Sequence, residues 1–446
     1  MSSFNFVLTH EQQLRSWYYS EVLQNLSKGN KIVLYLPSDL QKQPSLEPGG
    51  SVVVKFWDVS EFDNNWIVNY LNLNKHRKNK SFRNKIVKEI YDEKLARNHI
   101  SKTFLLLLAI KRKPRLFLTR NRYFFNKYFR KYMRNVLKFT PPISAEKEIW
   151  YVVVSISDQK TTEILNTLEL LRLPVVQIIE NWDNPSSKLC INNSPMAVLV
   201  WSEQMKKHVS EIHHYPPGKI VVMGSARFPT KHEIDLASKS KLNPKEHLQV
   251  FYAGFFSECV NRTKIVNLYD ALDASTEGET FTLVVRPHPM MLDFVSSELI
   301  NLEGRKIELD FTEEDSNNKT KWPTTNAAMY QAMLNSDIVI GSPTTILLEA
   351  IMFNKRIIID LTGCETHFNS SEMYFKNYEH FDEIIACEGI RKFSSYDELS
   401  KILESEFDEA QYRNDISGLR DYLIKLNEIS YESDFIVTHQ ALSRML

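Results

Sequence analysis

The stretch Ser336–Asp360, SDIVIGSPTTILLEAIMFNKRIIID, admits few folds. Asp337–Gly341 is a short apolar run that enters a turn at Gly341–Ser342–Pro343. Thr344–Phe353 carries apolar residues on nearly every face, as a helix buried between layers must, and Arg356–Asp360 is a second apolar run. Strand, turn, helix and strand in succession build a parallel sheet, because parallel neighbours need a crossover between them. Pro343 suits a first helical turn, where its missing N–H would be unpaired anyway. The turn sets Ser342, Thr344 and Thr345 beside the first N–H groups of that helix, a position that attracts anions and phosphate above all. Glu349 lies four residues after Thr345 on the same helical face, and a carboxylate inside LLEAIMF is costly without a partner.

The same alternation runs through the rest of the chain. Lys31–Leu36, Ser51–Trp57, Trp150–Ser155, Val175–Ile179, Ala197–Trp201 and Lys219–Met223 read as strands, with helical stretches at Glu61–Lys75, Lys160–Leu171, Pro185–Ile191 and Gln204–Ile212. A polar, irregular stretch from Gly224 to about Pro244 follows. A second series then begins, with strands at Leu248–Ala253, Phe281–Val285 and Arg305–Phe311 and helices at Thr263–Leu272 and Thr325–Leu334. Helices at Ser395–Leu403 and Glu409–Leu426 end it. At 446 residues the chain is too long for one core. The expected fold class is α/β: two tandem Rossmann-like domains, residues 1–228 and 229–446, with a C-terminal helical tail.

Ligands of open α/β sheets bind outside the carboxyl ends of the strands. Two turns stand there: Gly341–Thr345 and Arg286–Pro287–His288–Pro289. Two prolines fix the backbone around His288 and aim its imidazole, and Arg286 can grip a phosphate through two parallel hydrogen bonds. The alternative is a rigid strand exit whose histidine caps a backbone group. Joined with the SPTT turn, the pair reads as an anion site. Gly254, after the strand Leu248–Ala253 and near Arg262 and Lys264, is a further phosphate-facing candidate, and Gly224–Arg227 is comparable; tight turns need glycine regardless of ligand. In the first half, Glu180–Asn184 follows a strand directly. Asp183 and Asp158 are each a possible base or a helix cap.

Lys111–Lys138 holds eleven Lys or Arg and no acid, with Phe and Tyr interleaved. It fits an anionic membrane surface or acidic polymer, or a helix with one face in the core and one in water. No nucleic-acid motif accompanies it. The net charge is zero, so no global field selects a partner. The four cysteines stand far apart without CxxC spacing, which speaks against structural zinc or a disulfide framework. No apolar run approaches the ~20 residues of a spanning helix, and the N-terminus lacks a signal-peptide pattern. The expectation is a cytoplasmic protein, peripheral at most to the inner face of the inner membrane. GxxxxGK[ST], GxGxxG after a first strand, HExxH and GxSxG are all missing, which disfavours ATPase, dinucleotide, zinc-protease and α/β-hydrolase chemistry.

His288–Pro289 followed by Ser342–Pro343–Thr344–Thr345 resembles the HP and downstream SS pair of GT-B glycosyltransferases that build bacterial surface polysaccharides: sialyltransferases, capsular Kdo transferases and CDP-glycerol glycerophosphotransferases. Hydroxyls are kept where those families have serines. Ser336–Asp360 also resembles the donor-binding segment of GT-B enzymes generally and of UDP-GlcNAc 2-epimerases, with Glu349 at the position of a carboxylate that contacts the nucleotide-sugar. The specific likeness covers roughly Phe281–Asp360. It implies a transferase that uses a nucleotide-activated sugar, CMP- or CDP-linked, as co-substrate, with no separate cofactor and no metal, and passes it to a glycan or lipid-linked acceptor of capsule or lipopolysaccharide. Under that resemblance Arg286, Ser342, Thr344, Thr345, Glu349 and Gly254 hold the donor. His288 stabilises charge on the leaving phosphate, Asp158 or Asp183 is the base, and the domains close about a hinge near Gly224. A 2-epimerase-like enzyme and a non-catalytic protein binding anionic glycan or membrane are the alternatives.

Overall fold

The computed structural model describes residues 3–19, 22–42, 52–58, 79–81, 148–155, 159–189, 191, 193–239, 248–254, 262–276, 280–286, 305–310, 327–362, 371–428 and 430–446. The expected helix at Glu61–Lys75 and the basic run Lys111–Lys138 lie outside them. The chain divides into two compact units. The first is Met1–Ala226 together with Ser430–Leu446, and the second is Arg227–Ile429. Both are α/β with wholly parallel sheets, so the chain is a tandem of two Rossmann-like domains.

The first unit is a seven-stranded sheet in the order β3-β2-β1-β4-β5-β6-β7. Its strands are β1 (Ser3–Val7), β2 (Lys31–Pro37), β3 (Val52–Trp57), β4 (Trp150–Val154), β5 (Val175–Ile179), β6 (Ala197–Val200) and β7 (Ile220–Val222). β4 and β5 are buried along their whole length, as strands covered on both faces must be, and their near-continuous Val and Ile content follows from that. β1, an interior strand between β2 and β4, is not marked in the sequence, because Ser3 and Asn5 interrupt its apolar residues. Asn5 is buried, and its amide donates to the Glu148 carboxylate at 2.7 Å.

The last helix, Tyr431–Ser443, completes this core. Ser430 caps it by accepting from the Ser433 N–H at 3.1 Å. Phe435 packs on Phe6 and Tyr151, with ring centroids 5.5 and 4.7 Å away. The His439 ring stands edge-on to Phe4, and its Nδ1 lies 2.7 Å from the Tyr151 hydroxyl. Burial pushes the Tyr151 phenol far above its ordinary pKa, so it keeps its proton. Burial also lowers the His439 pKa from its ordinary 6.5, which disfavours the protonated ring. The unfolded chain therefore takes up this proton first. The stability contributed by neutral His439 is complete above pH 6.5 and is lost as pH falls from there toward the folded value. Melting temperatures measured between about pH 8 and about pH 5 are expected to fall more steeply for the wild type than for His439→Gln.

The second unit is a six-stranded sheet in the order β10-β9-β8-β11-β12-β13. Its strands are β8 (Leu248–Ala253), β9 (Phe281–Arg286), β10 (Ile307–Leu309), β11 (Ile338–Gly341), β12 (Arg356–Asp360) and β13 (Arg391–Phe393). β13 is too short to register as a run. The stretch read as irregular contains a helix, Lys231–Lys239. Thr230 and Glu233 form a reciprocal cap there: the Glu233 carboxylate accepts from the Thr230 N–H at 2.7 Å, and the Thr230 hydroxyl accepts from the Glu233 N–H at 3.2 Å.

Candidate functional site

In the second sheet β8 is followed on one side by β9 and β10 and on the other by β11, β12 and β13. The order of connection reverses between β8 and β11, and a crevice opens at the carboxyl ends of two such strands. β8 ends at Ala253–Gly254 and β11 at Gly341–Ser342. The two ends are tied together, the Ser342 N–H donating to the Ala253 carbonyl at 3.1 Å. The turn expected to organise the chain therefore stands at the switch point, with Gly254 on the adjoining strand end.

The helix after this turn spans Ile346–Met352, starting later than the expected Thr344. Thr345 occupies the N-cap position in helical geometry and makes no side-chain cap. Its carbonyl and that of Thr344 accept the N–H groups of Leu348 and Leu347 at 3.0 and 3.1 Å. Thr344 and Thr345 are partly exposed, whereas Ser342 is fully buried beside the Tyr252 phenol. Plain N-capping thus does not explain these hydroxyls.

Charged side chains surround the turn. Glu349 is 1% exposed and accepts from Arg227 Nη2 at 2.7 Å. Burial raises its pKa, opposed first by Arg227 and then by Arg286. Arg286, at the carboxyl end of β9, pairs with Asp310 at 2.6 Å. The Arg227 carbonyl accepts from the Tyr330 hydroxyl at 3.0 Å. Behind the crevice Asp360, 1% exposed at the end of β12, gathers four donors. The Tyr252 hydroxyl lies at 3.0 Å, Lys264 Nζ at 2.9 Å, the Thr362 N–H at 2.9 Å and the Thr362 hydroxyl at 2.5 Å. Asp360 is marked in the sequence only as an acid closing the apolar strand RIIID. Tyr252, Tyr330 and Asp310 carry no such signal.

The first sheet has its own switch point, between β1 and β4. Beyond their ends, and that of β5, the buried side chains Thr9, Gln13, Ser155, Thr161 and Glu180 come together. Asp183 lies farther along the same loop. Its carboxylate is paired with Lys188 at 2.5 Å and accepts from the Ser187 hydroxyl at 3.3 Å. Its neighbour Trp182 is buried and donates to Gln204. His288 and Asp158 fall outside the described residues. Among the described residues no group of three or more His, Cys, Asp or Glu side chains is placed to hold a metal ion, and no helix is long and apolar enough to cross a membrane.

No protein-family model matches the chain, and no curated protein sequence matches it. Among solved structures it is similar to the wall teichoic acid polymerase TagF, at 10% identity and a TM-score of 0.49, over 100% of this chain and 88% of that one. It is similar to the S. aureus MnaA–UDP co-structure at 11% identity and a TM-score of 0.48, over 100% and 98% of the two chains. The UDP-GlcNAc 2-epimerase from Methanocaldococcus jannaschii shares 10% identity at a TM-score of 0.48, over 99% and 100%.

Proposed function

We propose that the protein is a GT-B-type, metal-independent transferase. It moves a sugar or polyol phosphate from a nucleotide-activated donor, CMP- or CDP-linked, to a surface-glycan acceptor. The observation that carries this reading is the meeting of Ala253, which Gly254 follows, with Gly341–Ser342 at the switch point of the second sheet, with Arg286 on the strand beside Ala253. In the proposed mechanism the donor phosphates lie against the Gly254 and Ser342–Thr345 turns, where backbone and the Thr344 and Thr345 hydroxyls receive them. Arg286, held by Asp310, adds positive charge near the bond that breaks. Glu349 takes a donor hydroxyl while its pairing with Arg227 opposes the effect of burial on its carboxylate. His288 neutralises the charge growing on the leaving phosphate, a role for which electrostatic stabilisation is often the largest contribution. The basic run 111–138 holds the protein against an anionic membrane or glycan surface, at the cytoplasmic face where lipid-linked acceptors grow.

Thermal-shift measurements with CMP, CDP, UDP and GDP test the donor site. A cytidine nucleotide is expected to raise the melting temperature most, and no shift from any of the four sinks the reading. His288→Ala is expected to keep that shift while losing at least about tenfold in turnover, since an aligned charge stabiliser contributes more than ~1.4 kcal/mol to the barrier. Free 2-epimerised sugar released together with UDP from UDP-GlcNAc alone would reassign the protein to the 2-epimerases.

A further inference from the structure

The buried polar groups at the switch point of the first sheet form one directed chain of hydrogen bonds, and the backbone sets its direction. The Gln13 side-chain oxygen accepts the Thr9 N–H at 2.6 Å, and an N–H can only donate. The Gln13 side-chain nitrogen lies 3.0 Å from the Val153 carbonyl, which can only accept. These two contacts fix which end of the amide is which. The second hydrogen of that nitrogen then donates to Ser155 Oγ at 2.8 Å. With a lone pair so used, Ser155 turns its own proton to the Glu180 carboxylate, whose Oε2 lies at 2.5 Å. The chain ends on the Glu180 carboxylate oxygen, which accepts from Ser155.

Thr9, Ser155 and Glu180 are each held from a different strand, and Gln13 stands on the short helix Glu11–Leu14. Thr9 follows β1, Ser155 follows β4, and Glu180 follows β5, its own N–H donating to the Val154 carbonyl at 3.1 Å. These three strands are neighbours in the sheet, in the order β1-β4-β5. Glu180 is 6% exposed, Ser155 5% and Gln13 0%. A buried carboxylate fixed by a donor chain at the carboxyl end of a switch-point strand is placed to take a proton from a hydroxyl bound there. Asp183, three residues on, is differently placed, since Lys188 occupies its carboxylate.

We infer that the crevice at the switch point of the first sheet receives the acceptor hydroxyl, and that Glu180 is the base that takes its proton, with Ser155 and Gln13 as positioning residues. This rests on the transferase reading above. In the step, the acceptor O–H bond breaks and its proton passes to the Glu180 carboxylate. The acceptor oxygen forms a bond to the transferred carbon or phosphorus. The bond from that atom to the nucleotide's phosphate oxygen breaks, and its electron pair leaves with the nucleotide.

The test follows nucleotide release from CDP-glycerol, CMP-N-acetylneuraminate and UDP-GlcNAc, alongside the melting-temperature shift caused by CMP, CDP and UDP. Glu180→Gln is expected to cut release of the nucleotide that the wild type frees by about 100-fold or more, with KM and the nucleotide shift unchanged. Ser155→Ala removes a hydrogen bond to the ionised form. It should lower kcat about tenfold and move the acid limb of the pH–rate profile upward. If Glu180→Gln does not fold, Glu180→Asp, which withdraws the charge by one methylene, should still lose about tenfold or more in kcat. Turnover within about threefold of wild type in a folded Glu180→Gln protein with its nucleotide shift intact overturns the Glu180 assignment alone. No nucleotide shift in the wild type overturns the donor reading instead. Where none of the three probes is turned over, the ¹³C carboxyl resonance of Glu180, identified by its loss in Glu180→Gln, decides: it must report an ionised group at neutral pH that protonates at higher pH in Ser155→Ala. A carboxyl still protonated at neutral pH overturns the inference.

Discussion

Asp360→Ala is expected to cost the second unit about 4 kcal/mol, the loss typical of a broken buried ion pair. The side chain is 1% exposed, and it is the common acceptor for Tyr252, Lys264 and both donors of Thr362. Its removal takes the counter-charge from the Lys264 ammonium, itself only 10% exposed, and leaves the fully buried Tyr252 phenol without its Asp360 acceptor. Amide exchange in β8, β11 and β12 is the measurement, since those strands meet at Asp360. Protection there should fall roughly a thousandfold if these amides exchange through opening of the unit. Lys264→Met should cost less, because Asp360 keeps three neutral donors. An equal or larger loss in Lys264→Met would contradict this account.

Arg227→Met should rank second, at about 3 kcal/mol near neutral pH, because it leaves the Glu349 carboxylate buried without its main partner. The sign of its pH dependence follows from the direction of the Glu349 shift. Burial already raises that pKa above the ordinary 4.5 despite Arg227 and Arg286, and losing Arg227 raises it further. The folded state then binds the proton before the unfolded state does. The penalty is complete above the folded pKa and is relieved as pH falls from there toward 4.5. The gap between variant and wild type in amide protection of Ile346–Met352 should therefore narrow on acidification. Adding Glu349→Gln to Arg227→Met should recover much of the loss at neutral pH, and failure to do so would place the cost elsewhere.

The sequence shows its fold where strands are mostly apolar. β5 and β8 begin and end where their runs do, because both faces of a parallel strand lie under cover and each run holds only one polar residue, Gln177 or Gln249, among apolar neighbours. β1 escapes the same reasoning, since Asn5 is satisfied by Glu148, a residue 143 positions away that no local pattern reveals. The helix Lys231–Lys239 escaped for another reason. Its T-x-x-E cap was present in the sequence, but the polar composition around it outweighed that cue. At the site, the strand-end turn and the buried Glu349 were legible because glycine, proline and an acid among leucines are local signals. The partner of Glu349 was not, since Arg227 lies 122 residues earlier. Gln13 was invisible for the same reason: its role depends on Val153 and Ser155 arriving from a distant strand.

The return of Ser430–Leu446 to the first unit has a consequence for biosynthesis. Phe4, Phe6 and Tyr151 wait for Phe435, so the core begun by the earliest strand closes only after chain beyond Leu442 has left the ribosome. The second unit, continuous in sequence, can form before that moment. A nascent chain stalled before Ser430 would therefore leave uncovered the aromatic surface of Phe4, Phe6 and Tyr151 on which Phe435 packs.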